Sequence, residues 1–180
     1  MIGDSTFAHS GITSLLGTVY NGGKGTLCIL DNRTTAMTGA QGNPCNGVTL
    51  DEQARGVSPL EVPAGKPLDI VELCRALGVD EVTLVDSQDA AEIRRALEEA
   101  VAHTDKLSVL VFRSPCRLID RSRRPQPVVE GCQGCDTCIQ IGCPALRRDE
   151  DELAVIDPNQ CIGCNQCVQS CPFGCIQKGE

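Results

Sequence analysis

The sequence predicts an α/β protein in two parts: a mostly parallel sheet crossed by helices, then a small α+β unit organised by cysteines. Two observations carry that prediction. Up to residue 112, short apolar runs alternate with helix-period segments, and nine of the thirteen cysteines fall within residues 132–175. Strands alternating with helices indicate crossovers and a parallel sheet. So dense a set of cysteines points to metal or redox chemistry rather than to disulfides in a reducing compartment.

The chain opens with "MIGDSTFAHSG", where Met1-Ile2-Gly3 reads as the end of a buried strand and Gly3-Asp4-Ser5 as its turn into a helix. Residues 10–20 place Ile12, Leu15, Leu16 and Val19 at helical spacing, and 25–32, "GTLCILDN", read as a buried parallel strand. Residues 33–67 are rich in Gly, Pro, Thr and Asn and read as one long loop, of a length usually reserved for function. A helix is expected over 67–79, with Asp69 in its first turn and Gly78 just past its end. A strand follows at 81–86. The helix over 87–103 should place Ile93, Leu97 and Val101 on one face, with Arg94–Glu98 and Arg95–Glu99 as i,i+4 pairs. "LSVLVF" at 107–112 is the last strand of this part. The expected domains are 1–114 and 128–180, joined over 115–127 by a linker that Pro115, Pro125 and Pro127 break; the arginine-rich run "RSPCRLIDRSRRPQP" reads as solvated, or as a dock for a partner or for cluster charge.

Composition narrows the function. A net charge of -8, one Tyr, three Phe and no Trp leave neither the basic face nor the stacking platform that nucleic acids require. No apolar run is long enough to span a membrane, and Asp4 and Ser5 interrupt any apolar core at the amino terminus, so a cytoplasmic location is expected.

Residues 132–144 read C-Q-G-C-D-T-C-I-Q-I-G-C-P and 161–172 read C-I-G-C-N-Q-C-V-Q-S-C-P. Three cysteines at C-x₂-C-x₂-C wrap one face of an iron–sulfur cube, and in two-cluster ferredoxins the fourth comes from the other half, just before proline. The spacing therefore assigns Cys132, Cys135, Cys138 and Cys171 to one 4Fe–4S cluster, and Cys161, Cys164, Cys167 and Cys143 to a second. Four residues rather than three separate Cys138 from Cys143. Gly134, Gly142 and Gly163 let backbone amides approach the sulfurs. Zinc is the competing reading, although zinc fingers lack the third cysteine at this interval followed by Cys-Pro. Cys28 and Cys74 read as buried small hydrophobes, Cys45 sits in the long loop, and Cys116 and Cys175 are left over.

Asp4 and Asn32 stand 28 residues apart, each at the carboxyl end of an expected strand. If the strands are neighbours, both side-chain oxygens meet at the edge where open α/β sheets bind ligands. Carboxylate and amide oxygens suit Mg²⁺, which commonly bridges to a diphosphate, and amides after Gly3 suit the phosphates themselves. Asp4 as a plain helix cap is an equal alternative on spacing alone.

"GDS" followed by "LDN" resembles the thiamine diphosphate motif, usually Gly-Asp-Gly through to Asn-Asn. "DNRTTAMTGAQGNP" resembles the corresponding segment of the 2-oxoacid:ferredoxin oxidoreductases, and the whole chain, from "GDSTFAHSGI" to "CPFGC", is similar to the carboxyl-terminal part of their indolepyruvate-specific alpha subunits. The resemblance implies a partial thiamine diphosphate domain, in which Gly3, Asp4, Ser5, Asn32 and Thr34 bind the cofactor, followed by a ferredoxin-like domain with two 4Fe–4S clusters. Asp4 and Asn32 would hold Mg²⁺ by their side chains and Thr34 by its carbonyl; Ser5 replaces the usual second glycine, and His9 falls near the diphosphate. His103, at a helix end, has no implied role.

The resemblance also implies oxidative decarboxylation of an aryl 2-oxoacid with coenzyme A, a beta subunit as partner, and an external ferredoxin as electron acceptor. It assigns no catalytic residue here, because the glutamate that activates thiamine lies in a pyrimidine-binding domain that these residues do not include. The chain is accordingly expected to be a fragment or the short half of a split subunit. The alternatives are a ferredoxin-type electron carrier with a degenerate sheet domain, and a structural remnant binding neither cofactor.

Overall fold

The computed structural model describes residues 1–58, 63–117, 119–120, 122 and 124–179. Within the expected long loop and linker, residues 59–62, Leu118, Arg121 and Arg123 lie outside that description. The chain divides into two units, Met1–Arg121 and Ser122–Glu180.

In the first unit β1 (Ile2–Gly3) runs directly into α1 (Asp4–Thr6), a π-helical turn (Phe7–Gly11) and α2 (Ile12–Tyr20). β2 (Gly25–Asp31), α3 (Leu50–Ala54), α4 (Ile70–Ala76), β3 (Glu81–Asp86), α5 (Ala90–Ala102) and β4 (Leu107–Arg113) follow. The sheet order is β1-β2-β4-β3, every pair parallel, with Gly3 beside Leu30 and Cys28 beside Leu110. β4 is central, and its residues 107–112 are all buried, the signature of a parallel strand covered on both faces. Val109 and Val111 point to one side, where they pack with Phe7, Leu15, Ile29, Ile70 and Cys74; Leu110 and Phe112 point to the other, where they meet Val85, Ala96 and Ala100. Helices therefore cover both faces of the sheet.

Several local expectations are corrected. Helical structure begins at Asp4, where the turn into a helix is expected, but Leu16 is half exposed while Leu15 is buried. α5 buries Ala96 and Ala100, flanked by Ile93 and Leu97, whereas Val101 is 67% exposed. Eight residues past Ile93, Val101 has rotated about 80° off the buried stripe. Arg94–Glu98 and Arg95–Glu99 do not close; the helical ion pairs are Arg55–Asp51 and Arg75–Glu72. Asp69 is the N-cap of α4, accepting from the amides of Val71 and Glu72.

The long loop holds an unexpected helix. α3 carries a capping box, in which Thr49 Oγ1 accepts from the Glu52 amide and the Glu52 carboxylate accepts from the Thr49 amide. The loop then closes on itself so tightly that a Cβ on Gly65 would lie 2.3 Å from the Gly47 carbonyl oxygen.

The second unit contains β5 (Val128–Val129), a 3₁₀ turn (Ile139–Ile141), β6 (Leu146–Arg148), β7 (Ala154–Ile156), α6 (Gln166–Ser170) and β8 (Ile176–Gln177). β5 pairs antiparallel with β8, and β6 with β7. Its core is small: Cys138, Leu146, Ala154 and Ile176 are buried, with Cys132, Cys143, Cys167 and Cys171 packed against them. Among the described residues no helix is long and apolar enough to cross a membrane.

Candidate cofactor sites

Parallel pairing of β1 and β2 puts Asp4 and Asn32 just beyond two neighbouring strand ends. Asp4 is 3% exposed and begins the helix. Its Oδ1 accepts from the Ser5 amide at 2.8 Å and its Oδ2 from Asn43 Nδ2 at 3.3 Å. The Ser5 amide is thus already engaged by Asp4. Asn32 Oδ1 accepts from the amide of Thr34, which is buried and whose hydroxyl donates to the Gln41 carbonyl. Ser5 Oγ accepts from Thr35 Oγ1 at 2.9 Å, so the serine in place of the motif's glycine ties the first turn to the loop after β2. His9 is exposed in the π-helical turn. His103 Nδ1 lies 2.8 Å from Glu81, away from these strand ends.

The electrostatics single out Asp4. Asp31, 1% exposed, pairs with Arg113 at 2.7 Å and with Arg33 at 3.6 Å. Asp4 has no cationic partner among the described residues. Burial raises its pKa above the ordinary 3.8, the charge of Asp31 adds to this, and hydrogen bonds from the Ser5 and Arg33 amides and from Asn43 pull it back only in part. A buried carboxylate without a counter-ion is costly, and a divalent cation would supply what the arginines give Asp31. The Asp4 carboxylate fits Mg²⁺ on that ground.

Asp31, Arg33, Arg113, Asn43 and Asn46 were not singled out from the sequence. Asn43 Oδ1 accepts from the Cys45 amide, and Asn46 bonds the Asn43 and Val48 amides and the Arg33 carbonyl. The Gly-Asn-Pro run in a long loop is the one signal that points there, because Asn side chains capture nearby backbone in turns. Cys45 is fully buried, its thiol facing the Asp4 carbonyl at 3.7 Å; burial, then the charges of Asp4 and Asp31, push it up to about 12. It is an inert thiol rather than a nucleophile. Burial pushes Cys74 up to about 11.

In the second unit Cys132, Cys135, Cys138 and Cys171 line one hollow. Cys171 is remote in sequence from the other three, as crossed ligation requires. Burial alone raises the Cys171 thiol, but the amides of Phe173, Cys175 and Ile176 outweigh it and hold the thiol below its ordinary value. The Ala154 amide donates to Cys132 Sγ at 3.4 Å. Amides aimed at sulfur stabilise the thiolate that iron binds, so this set fits a cluster. Gly134, Gly142 and Gly163 have φ of +65, +72 and +66, in the left-handed region. Cys167 is pushed up to about 11 by burial, with the charges of Cys164 and Cys161 adding to the effect. Cys143 packs on the core that Cys167 also touches. Among the described residues no three His, Cys, Asp or Glu side chains gather as a site for a single ion.

The family described as thiamine pyrophosphate enzyme, C-terminal TPP binding domain, matches residues 1–112, and the 4Fe-4S binding domain family matches residues 154–177. The indolepyruvate oxidoreductase subunit IorA of Pyrococcus horikoshii is 38% identical over 188 residues, covering 98% of this chain and 27% of its own length. Its counterpart in Methanothermobacter marburgensis is 38% identical over 180 residues, with the same two coverages. The thiosulfate reductase electron transfer subunit PhsB of Salmonella typhi is 30% identical over 98 residues, 52% of this chain and 50% of its own length. The chain spans about a quarter of the length of the IorA relatives it matches.

Proposed function

This chain belongs to the family of C-terminal TPP-binding domains of thiamine pyrophosphate enzymes, here followed by a 4Fe–4S binding domain, and from that membership we propose that it is the cofactor-holding and electron-relaying part of a 2-oxoacid:ferredoxin oxidoreductase. We take the thiamine domain as 1–114, the linker as 115–127 and a two-cluster ferredoxin-like domain as 128–180. One observation carries the reading: a buried carboxylate with no cationic partner among the described residues stands at the carboxyl edge of a parallel sheet, in the same chain as a hollow lined by the four thiols of the first cluster set and by Cys175.

Asp4, Asn32 and the Thr34 carbonyl would hold Mg²⁺, and Gly3 and Ser5 would shape the turn against the diphosphate. Cys132, Cys135, Cys138 and Cys171 would hold one cluster and Cys161, Cys164, Cys167 and Cys143 the other. When bound, thiamine diphosphate supplies the carbon nucleophile and electron sink for decarboxylation, and the clusters supply one-electron transfer. The protein's own contribution is geometric and electrostatic. Asn43 steers the Asp4 carboxylate, the two arginines neutralise Asp31 so that Asp4 alone faces the cation, and backbone amides aimed at the Cys171 sulfur favour its thiolate.

The printed name of the relatives supports indolepyruvate, an aryl 2-oxoacid, as substrate; coenzyme A as acyl acceptor and an external ferredoxin as electron acceptor rest on the family resemblance of the sequence motifs. Their designation as subunits supports a beta-subunit partner, and a cysteine density that suits metal centres supports a reducing cytoplasm. The test loads the chain anaerobically with iron and sulfide, then titrates thiamine diphosphate with and without Mg²⁺ by calorimetry. Mg²⁺-dependent binding with two four-iron clusters is expected. Iron without thiamine binding would instead favour the electron carrier to which the similarity with an electron transfer subunit points, and neither would overturn both readings.

A further inference from the structure

The hollow of the second unit is lined by five thiols, not four. Cys132, Cys135, Cys138 and Cys171 suffice for one cube, with one thiolate on each iron, yet Cys175 lines the same space. Its amide donates to Cys171 Sγ at 3.2 Å, and its own thiol donates to the carbonyl of Gly131, the residue before Cys132, at 3.0 Å. Cys175 therefore stands between the two ends of the ligand set, next to the one ligand that arrives from the far half of the sequence.

Its position is fixed by the backbone. Between Cys171 and Cys175 the chain turns back at Gly174, whose φ is +67 and whose amide donates to the Cys171 carbonyl. Immediately after, Ile176 is buried and pairs with Val129, and the Cys175 carbonyl accepts from the Glu130 amide at 2.8 Å. The Cys175 sulfur thus already borders the hollow, held there by the Gly131 carbonyl.

We propose that Cys175 is a reserve ligand for the cluster of Cys132, Cys135 and Cys138, taking over the iron of Cys171 when that thiolate is displaced or lost. The inference rests on the reading of these thiols as a four-iron site. In the exchange the Cys171 sulfur–iron bond breaks and a Cys175 sulfur–iron bond forms, while the Cys175 thiol proton passes to the departing Cys171 sulfur. One thiolate replaces another, so the cluster keeps its charge and oxidation state and no electron is transferred.

The test uses the full chain reconstituted anaerobically, comparing wild type, Cys171→Ala, Cys175→Ala and the double variant. Iron content and the spectrum of the reduced clusters are the first readout. Each single variant should keep the wild-type iron, with a shifted cluster spectrum in Cys171→Ala, and the double variant should lose about half of it. Native alkylation followed by peptide mass spectrometry is the second readout, and it does not depend on full occupancy. Cys175 should be labelled in the loaded wild type and protected in loaded Cys171→Ala. Iron loss in Cys171→Ala equal to that of the double variant, or Cys175 labelled equally in both proteins, overturns the proposal. Cluster loss in Cys175→Ala alone overturns it as well, because Cys175 would then be a primary ligand. A wild-type chain that takes up no iron overturns the underlying four-iron reading together with it.

Discussion

The side-chain amide of Asn43 donates to Oδ2 of Asp4 at 3.3 Å, joining positions 39 residues apart. The same Asn43 holds the Cys45 amide and is itself held by Asn46, which reaches back to the Arg33 carbonyl beside β2. The candidate metal ligand is thus steered by the loop that follows β2. Asn43→Ala should weaken Mg²⁺-dependent thiamine diphosphate binding by roughly tenfold, the loss expected for one buried hydrogen bond to a charged group. Calorimetry on the iron-loaded chain measures it; an unchanged affinity would show that Asp4 is oriented without the loop.

Asp4→Ala should abolish that binding while leaving iron content at the wild-type level. Cation and diphosphate share the site, so removing the carboxylate leaves the anion without its counter-ion. Undiminished thiamine affinity would remove Asp4 from the site.

Arg113 and Arg33 neutralise Asp31, which is almost wholly buried. Arg113→Met should lower stability by about 3 kcal/mol, because a buried charge loses its nearer partner. Thermal unfolding reports this directly. A loss below about 1 kcal/mol would mean that Arg33 alone suffices.

Much of this was legible in the sequence, and the failures have physical causes. Alternation of apolar strands and helices gave the sheet because parallel strands buried on both faces are near-continuously apolar, as β4 is apart from Ser108 and the terminal Arg113. Asp4 and Asn32 could be read together because each ends a strand, and adjacent parallel strands end side by side. The cysteine spacing was explicit because a cube fixes the intervals between its ligands. Val101 misled because small residues, Ala96 and Ala100, let α5 approach the sheet on a face that hydrophobicity alone underrates. α3 was hidden by its brevity, although "TLDE" carries the Thr-x-x-Glu of a capping box. Arg113 and Asp31 were invisible for a different reason: only the register of β2 against β4 brings residues 82 positions apart into contact.

α3 also anchors the steering loop. Glu52 accepts from the amides of Thr49 and Ala64, and Gln53 accepts from the Gly42 amide next to Asn43. Those amides hold the Glu52 carboxyl below its ordinary 4.5. A depressed carboxyl contributes stability that is present above the ordinary value and lost as pH falls through the lower folded value. The loop should therefore keep its structure at pH 5 and above and loosen only below about 4.5, seen as a shift of the Ala64 amide resonance. Glu52→Gln should loosen it at neutral pH and flatten that acid dependence. A wild-type loop that loosens between pH 7 and 5 would contradict this linkage.

Cys143 tests the other half of the crossing. The four residues after Cys138 close as a 3₁₀ turn ending at Gly142 in the left-handed region, which delivers Cys143 to the start of the β6–β7 hairpin. The Leu146 amide donates to the Cys143 carbonyl, the Asp157 amide to the Ala145 carbonyl, and the Cys161 amide to the Asp157 carbonyl. This relay carries the backbone from beside Cys143 to Cys161, whereas Cys138 faces the hollow of the other set. Cys143→Ala should therefore expose Cys161, Cys164 and Cys167 to native alkylation and remove about half of the iron, while Cys132, Cys135 and Cys138 stay protected. A one-atom ligand loss inside so small a core also removes a packing group, so Cys143→Ser, which keeps the volume and offers oxygen, should retain more iron than alanine. If alkylation instead opens Cys132, Cys135 and Cys138, ligation follows sequence order and the crossed assignment is wrong.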